Sequence, residues 1–279
     1  MRIGAMNHPR LDVLEEIHAL AALGFDFVDL TIEPPAAAHW RVDPARIRGA
    51  LTELGLGAVG HTAYYLPIGS PFEEIRRAAV RELKATFEVF AKIGVRQVNV
   101  HPDRYAPQHE RAFILDRDLQ SLRELLDFAR PLGLELMIEN LPGDFNTAAQ
   151  LADLLEPLPE LGLHLDIGHA NLLVKPNTSA EILRAHGRRL RHVHLHDNRG
   201  GSEDLHLPLG VGNIDFVEQI GLLKAAGYDG TITLEVFCPE RRFLADSRDV
   251  LRKLWETTAA GAKGTRGQAA EVGTVASGE

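Results

Sequence analysis

Short apolar runs alternate with longer amphipathic stretches along most of the chain. The first pair is the run Arg2–Met6 and the stretch Leu11–Leu23, and the last is Thr231–Phe237 followed by Ser247–Glu256. The runs have the length of strands, whereas the stretches repeat apolar residues at helical spacing. This alternation predicts a parallel sheet with crossover helices. About eight such pairs within 279 residues favour a closed (β/α)8 TIM barrel over an open sheet.

The barrel is expected to occupy residues 1–256 as a single domain. Beyond it, residues 257–279 are rich in Gly, Ala and Thr and have no hydrophobic period. Such a composition cannot bury enough apolar surface to fold, so we expect a disordered tail. The fold class predicted from the pattern is therefore α/β, a single (β/α)8 barrel with a disordered C-terminal tail.

The predicted strands depart from the usual pattern of a parallel sheet. Strands covered on both faces are normally apolar throughout, yet Gln97, Asn99 and His101 alternate with valines. The apolar register must face the helices, so the polar register points into the barrel, where a metal and an aqueous pocket would supply partners. Active sites of this fold lie at the carboxyl ends of the strands. The last polar residues there are His61, His101, Glu139, Asp166, Glu235 and either His194 or His196.

The segment Arg191–Gly212 concentrates the most side chains that can bind a metal. It begins as a strand on which alternate histidines share one face, and it continues into a loop that ends at a Gly210-x-Gly212 turn. Imidazoles and carboxylates together suit a hard-to-borderline divalent cation better than a packed core. The side chains concerned are His192, His194, His196, Asp197, Asp204 and His206. We interpret His192, together with His164 on the preceding strand, as hydrogen-bonded core residues deeper in the barrel.

Composition narrows the classes of partner. The net charge of −9 and the pI near 5.8 disfavour broad contact with a phosphate backbone, so a nucleic-acid partner is not expected. The single Cys238 excludes an internal disulfide, and no apolar run reaches the ~20 residues of a membrane span. The first residues lack the apolar core of a signal peptide. We therefore expect a cytoplasmic protein without a membrane partner, and a homo-oligomer is left open.

The strand ends resemble the xylose-isomerase-like TIM-barrel superfamily. This group holds sugar and sugar-phosphate isomerases and epimerases together with the endonuclease IV nucleases. The resemblance covers residues 1 to about 256, and its motifs lie in order at successive strand ends. They are GHTAYYLPIGSP, VNVHPD, MIEN, HLDIGHA, VHLHD, DLHLPLGVGNID and LEVF.

The resemblance to the epimerases implies one divalent metal, Mn²⁺, Mg²⁺ or Zn²⁺, held by four side chains. The matching residues are Glu139, Asp166, His194 and Glu235. The two glutamates would also be catalytic, taking and returning a proton on opposite faces of a carbon next to a carbonyl, through an enediolate. The small-molecule substrate would be a sugar, a sugar phosphate or a related polyol. Expected substrate contacts are His169, His61, His101, Glu33 and His196.

The resemblance to the nucleases implies an alternative, a zinc-dependent phosphodiesterase or AP endonuclease of the endonuclease IV type. Such enzymes use three zinc ions, and the further ligands match His61, His101, His169, Asp204 and His206. The sequence could therefore hold more than one ion. The negative net charge and the short segment after Glu139 disfavour the nuclease hypothesis. A non-catalytic binding protein on a decayed barrel is the third hypothesis, and the intact ligand set disfavours it.

Overall fold

The computed structural model describes residues 1–103 and 108–264. Within them, each parallel strand pairs with the next one in sequence, and the last pairs with the first to close a barrel. The predicted (β/α)8 barrel is thus confirmed. Its strands are β1 Arg2–Met6, β2 Phe27–Thr31, β3 Gly57–His61, β4 Gln97–Val100, β5 Glu135–Glu139, β6 Gly162–Asp166, β7 Leu190–Leu195 and β8 Thr231–Leu234. Its helices are α1 Val13–Ala22, α2 Pro44–Leu54, α3 Glu73–Ile93, α4 Arg111–Ala129, α5 Ala148–Leu155, α6 Ser179–His186, α7 Phe216–Ala225 and α8 Arg242–Thr257.

The two registers of the strands separate the core from the site. Residues such as Val98 and Val100 are fully buried in a large apolar cluster shared with the helices. The opposite register forms a small second cluster of Phe27, Val59 and Met137 low in the barrel. Polar residues such as Asn99 and Glu139 follow above that apolar floor, towards the carboxyl ends of the strands.

Local signals fix where several helices begin and end. Asp12 and Asp43 accept hydrogen bonds from backbone amides in the first turns of α1 and α2, and Thr147 forms a reciprocal capping box with Gln150 at α5. Short 3₁₀ segments at Arg130–Leu132, His169–Asn171 and Gly187–Arg189 complete the connections. The one after β6 contains His169 and therefore sets the position of a candidate site residue.

Helix α8 begins at Arg242, five residues before the predicted start at Ser247. Serine commonly caps a helix N-terminus, but here the Ser247 hydroxyl donates to the Phe243 carbonyl oxygen inside the helix at 2.8 Å. The Ser247 hydroxyl oxygen in turn accepts a hydrogen bond from the Leu209 amide at 3.2 Å. Ser247 therefore ties the helix to the loop after β7 instead of starting it.

Residues that follow the predicted boundary at residue 256 contact α7. The ammonium of Lys224 on α7 donates to the carbonyl of Thr258 at 2.9 Å, and the Gly261 amide donates to the Gly221 carbonyl at 2.8 Å. A Cβ at Gly221 would lie 2.6 Å from the Ala262 oxygen, so the glycine permits this close approach. The rest of the predicted tail, 265–279, lies outside the described residues. Within the described ranges, no helix has the length and apolarity needed to cross a bilayer.

Candidate metal centre

Four side chains from the last four strands converge at the carboxyl end of the barrel. Glu139 and Asp166 end β5 and β6, His194 lies opposite Asp166 on β7, and Glu235 follows directly after β8. All four are buried, and one ligand atom from each lies within 4.8 Å of every other. The structure therefore brings together the residues that the resemblance implied as metal ligands.

A carboxylate behind His194 fixes how its ring is presented. Asp29 on β2 lies 2.7 Å from His194 Nε2, and an ionised carboxylate accepts only, so we assign the proton to Nε2. In the neutral ring Nδ1 then has a lone pair, 3.1 Å from Glu235 Oε2 and 3.9 Å from Asp166 Oδ2. The lone pair and the anionic oxygens repel one another unless a positive charge, either a proton on Nδ1 or a metal ion, lies between them. A carboxylate that orients the imidazole of a metal ligand in this way is typical of metal sites.

The electrostatics of the four residues also favour a cation. Burial by itself would raise the pKa of Glu139, but the imidazoles of His164, His101 and His169 hold it well below its usual range. Burial would likewise lower the pKa of His194, yet the carboxylates of Glu235 and Asp29 raise it well above its usual value. The site keeps Glu139 ionised and draws positive charge to His194.

The donor set fits a divalent metal. Asp166 Oδ2 is buried and has no hydrogen-bond partner within the described ranges, although it belongs to an ionised carboxylate. Three carboxylates and one imidazole are the oxygen and nitrogen donors that Mn²⁺, Mg²⁺ or Zn²⁺ accepts. A metal would supply the partner that Asp166 lacks.

Two further groups adjoin this centre. His101 Nε2 lies 2.9 Å and His61 Nε2 4.0 Å from Glu139 Oε2. On the other side, the Nε2 atoms of His169 and His206 lie 3.1 and 3.2 Å from Asp204 Oδ2. Each group has ligand atoms within 4.8 Å of one another, and the second also includes His196. The other candidate residues named from the sequence, apart from Glu33, thus lie around the same mouth.

Glu33 lies at the edge of this mouth beside exposed aromatic rings. It shares a hydrogen bond with Tyr65, and burial raises the pKa of its carboxyl group. Burial raises the pKa of the Tyr65 phenol to about 12, and the hydrogen bond to Glu33 adds to this increase. The rings of Tyr64 and Tyr65 stay largely exposed, and Phe237 packs with its centroid 4.5 Å from that of His206. The polar centre is therefore flanked by apolar surfaces.

Several residues that position the site were not identified from the sequence. Asp29 belongs to the alternating polar register of β2, but it lies below the strand end and so escaped the search for rim residues. Asn99 was noted only as part of that register, and its amide donates to Glu139 Oε2 at 2.6 Å. Asn140 donates to the Asp166 carbonyl and accepts its amide. The signal for Asp29 and Asn99 was the polar register itself, whereas Asn140 directly follows β5 in the opposite register and gave no such signal.

Two interpretations of the histidine segment need correction. His192 is hydrogen-bonded to Thr231, Thr233 and Asp29 as expected, whereas neither ring nitrogen of the buried His164 has a hydrogen-bond partner among the described residues. Asp197, which was counted with the metal-binding side chains, instead accepts the backbone amides of the loop after β7. Its oxygens are already used, so it organises the loop.

Fold and site together define a TIM barrel with a carboxylate–imidazole centre at the carboxyl ends of its strands. The chain belongs to the xylose isomerase-like TIM barrel family, whose family model matches residues 17–254. The membership inferred from the strand-end motifs is thereby confirmed.

The proteins similar to this chain include both sugar epimerases and a nuclease, the two groups named in the resemblance. An uncharacterized protein of Methanocaldococcus jannaschii is 34% identical over 172 residues, 58% of each chain, so the match spans little more than half of that relative. L-ribulose-5-phosphate 3-epimerase of Salmonella paratyphi A is 25% identical and aligns over 80% of this chain and 82% of its own. A probable endonuclease 4 of Thermotoga sp. is 27% identical over 55% of this chain and 59% of its own.

The crystal structure of a D-tagatose 3-epimerase-like protein superposes with a TM-score of 0.83 at 26% identity, covering 92% of this chain and 98% of that one.

Proposed function

We propose that this protein is a divalent-metal-dependent epimerase or isomerase that acts on a sugar, a sugar phosphate or a related polyol. The observation that supports it most directly is the meeting of Glu139 and Glu235, from separate strands, with Asp166 and His194 around one position. Two carboxylates on different sides of such a position are what stereochemical inversion of a carbon requires. The sugar epimerases among the similar proteins agree with this class.

The two glutamates have different surroundings, which suits different roles. Glu139 is held ionised by the neighbouring imidazoles and accepts the Asn99 amide, so it is ready to take a proton from a carbon next to a carbonyl. Glu235 lies near His194 and His206 and would return a proton from the other face. A divalent metal bound here would polarise the substrate carbonyl as a Lewis acid.

The mouth suggests how a sugar would be held. Glu33 Oε2 is buried without a hydrogen-bond partner in the described part of the chain, so it offers an acceptor for a hydroxyl group. Tyr65 and Phe237 present ring faces for the apolar side of a sugar. His61, His101, His169 and His196 remain proposed contacts or ligands around the same space.

Solvent deuterium uptake tests this function. Metal-loaded protein in D₂O should introduce deuterium next to the carbonyl of a ketose or ketose phosphate. Glu139→Gln and Glu235→Gln should each lower the rate by at least about 100-fold, because general acid–base groups contribute on that order. Glu135→Gln is the matched control, since this glutamate lies at the opposite end of β5 and pairs with Arg191. If no sugar in a broad panel exchanges above the rate of the glutamine variants, the proposal is wrong.

A phosphodiesterase of the endonuclease IV type is the second candidate. It is favoured by the additional groups His61–His101–Glu139 and His169–Asp204–His206, which the nuclease resemblance had implied as further ligands. Cleavage of an abasic duplex by zinc-loaded protein, abolished by Glu139→Gln, would support this candidate over the epimerase.

A further inference from the structure

Asn146 is a buried asparagine between the connections that follow β5 and β6. It has no solvent exposure, and its side-chain amide donates to the carbonyl oxygens of His169 and Leu172 at 2.8 and 2.9 Å. Its side-chain oxygen accepts the amide of Asn140 at 3.2 Å. Carbonyl oxygens only accept, so these contacts also fix which way the Asn146 amide group faces. Asn146 thus holds both ends of the 3₁₀ segment that begins at His169.

Asn140 connects Asn146 to two of the proposed site residues. It follows Glu139 directly, and its side chain accepts the Asp166 amide at 2.7 Å and donates to the Asp166 carbonyl at 2.9 Å. Its own carbonyl oxygen lies 3.0 Å from Nδ1 of the His169 ring. This oxygen can only accept, so we assign a proton to that Nδ1. The asparagines therefore hold both the backbone and the ring of His169.

A short loop and a helix cap fix the position of Asn146 itself. Leu141 and Phe145 form an antiparallel bridge, so the chain turns back after β5 and returns Asn146 to the end of that strand. The backbone amide of Asn146 then donates to Gln150 Oε1 at 2.9 Å, and Gln150 belongs to the capping box at the start of α5. The segment that contains His169 is therefore anchored to α5 as well as to its own strand.

We propose that Asn146 is a positioning residue that acts through His169, by holding this ring where a bound sugar meets the proposed catalytic centre. The inference rests on the proposed function, in which His169 contacts the substrate. His169 lies against that centre, since its amide donates to Asp166 Oδ1 at 2.7 Å. A displacement of about 1 Å in such a group can lower a rate by about 100-fold, so a side chain that touches no substrate can still control the reaction.

A double-mutant cycle between Asn146 and His169 tests the proposal. Deuterium uptake by the ketose that exchanges fastest is measured in D₂O for the full-length, metal-loaded protein and for Asn146→Ala, His169→Ala and the double variant. Asn146→Ala alone should lower the rate by about 10- to 100-fold. Added to His169→Ala, it should change the rate by less than about 2-fold, because the ring through which it acts is already missing. A residue that only stabilises the fold would lower the rate by the same factor in both backgrounds.

Metal affinity and a second asparagine provide the controls. Affinity for Mn²⁺, measured by competition with a chromophoric chelator, should stay within about 2-fold in Asn146→Ala, because Asn140 keeps its own bonds to the Asp166 backbone. Asn177→Ala is the matched variant. Asn177 lies in the same connection after β6, but its side chain bonds to the Ile167 carbonyl and the Ser179 amide. Its uptake rate should stay within about 2-fold of that of the unchanged protein.

Each outcome decides the proposal. If Asn146→Ala does not fold by circular dichroism, Asn146→Ser takes its place in the cycle. Where uptake by His169→Ala is too slow to measure, the affinity of the four proteins for the same ketose provides the cycle. Equal losses in the two backgrounds would overturn the inference, as would an unchanged rate in Asn146→Ala or a parallel loss of Mn²⁺ affinity. These results reject this inference alone, whereas an unchanged protein that exchanges no sugar rejects the proposed function and the inference with it.

Discussion

At the scale of single residues, Asp29 shows what the sequence could and could not reveal. The alternation on β2 indicated that Asp29 points into the barrel, and it does. Its partner could not be inferred, because His194 is 165 positions away in the chain and the two meet only when the barrel closes. Glu139, Asp166 and Glu235 were identifiable because strand ends converge in this fold. Choosing which nitrogen of His194 faces them requires the position of Asp29.

Asp29→Asn should weaken metal binding at the Glu139–Asp166–His194–Glu235 centre by about 10- to 100-fold, as loss of outer-shell partners does. An asparagine amide can donate to His194 Nε2, which would move the proton to Nδ1 and remove the lone pair that faces Glu235. Competition with a chromophoric chelator measures the change in affinity.

Asp118→Asn is the matched control for that substitution. Asp118 is also fully buried, and burial raises the pKa of its carboxyl group well above the usual value, so an uncharged amide resembles the native side chain. Equal affinity in the Asp29 variant and the control would contradict the assigned tautomer.

At the scale of elements, the bounds of the strands and helices were largely predictable, and the departures have local causes. Ser247 has the appearance of a helix cap, but its hydroxyl is engaged inside α8, so the start was placed too late. The Gly210-x-Gly212 turn was recognised in the sequence, but the side chain that holds it was not foreseen. That side chain is Asp197, since one of its oxygens accepts the amides of Gly210 and Gly212 at 2.9 and 2.8 Å.

Asp197→Asn should loosen the loop after β7. In asparagine an NH₂ group replaces one carboxylate oxygen, and this group cannot accept the backbone amides that the oxygen accepted. We therefore expect a loss of about 2–3 kcal/mol in the free energy of unfolding. Hydrogen exchange at the Gly210 and Gly212 amides should accelerate, because both amides donate to the same Asp197 oxygen.

Asp43→Asn provides the comparison at a helix cap. Asp43 also accepts two backbone amides, those of Ala45 and Arg46, but asparagine caps a helix about as well as aspartate. Little change in stability is expected there. Unaltered exchange of the two glycine amides in the Asp197 variant would contradict its role in holding the loop.

At the scale of the whole molecule, the barrel and its polar interior follow from one pattern. Strand–helix alternation specified the closed sheet, and the apolar register specified the contact with the helices. The polar register required a site, and the structure supplies it as buried carboxylates and imidazoles with mutually shifted pKa values. Composition, from which the boundary at residue 256 was set, does not encode the contacts that the backbone of Thr258 and Gly261 makes with α7.

The shifted pKa values of the buried histidines should make the metal-stripped protein less stable both above and below an optimum pH. Burial lowers the pKa of His206, but Asp204 and Glu235 outweigh it and raise the pKa from 6.5 to about 9. Because the pKa of His206 is raised, its protonation stabilises the folded state fully below pH 6.5. This contribution of about 3 kcal/mol is lost as the pH rises to 9. Burial lowers the pKa of His61 to about 4, so His61 favours unfolding as pH falls from 6.5 to 4. Maximum stability near pH 6.5 is therefore expected.

Bound metal should abolish the decline above pH 6.5. Ligating imidazoles must be neutral, so metal binding displaces their protons and strengthens as pH rises through the same range. Urea unfolding of stripped and metal-loaded protein at intervals between pH 5 and 9 measures both curves. Replacing His206 with glutamine should make the decline on the alkaline side of the stripped curve shallower, the remainder coming from His169 and His194, whose pKa values are also raised. The acidic side, which depends on His61, should not change. If stripped protein were as stable at pH 9 as at 6.5, the carboxylates around His206 would not be attracting positive charge, and the electrostatic argument for a cation at this mouth would fail.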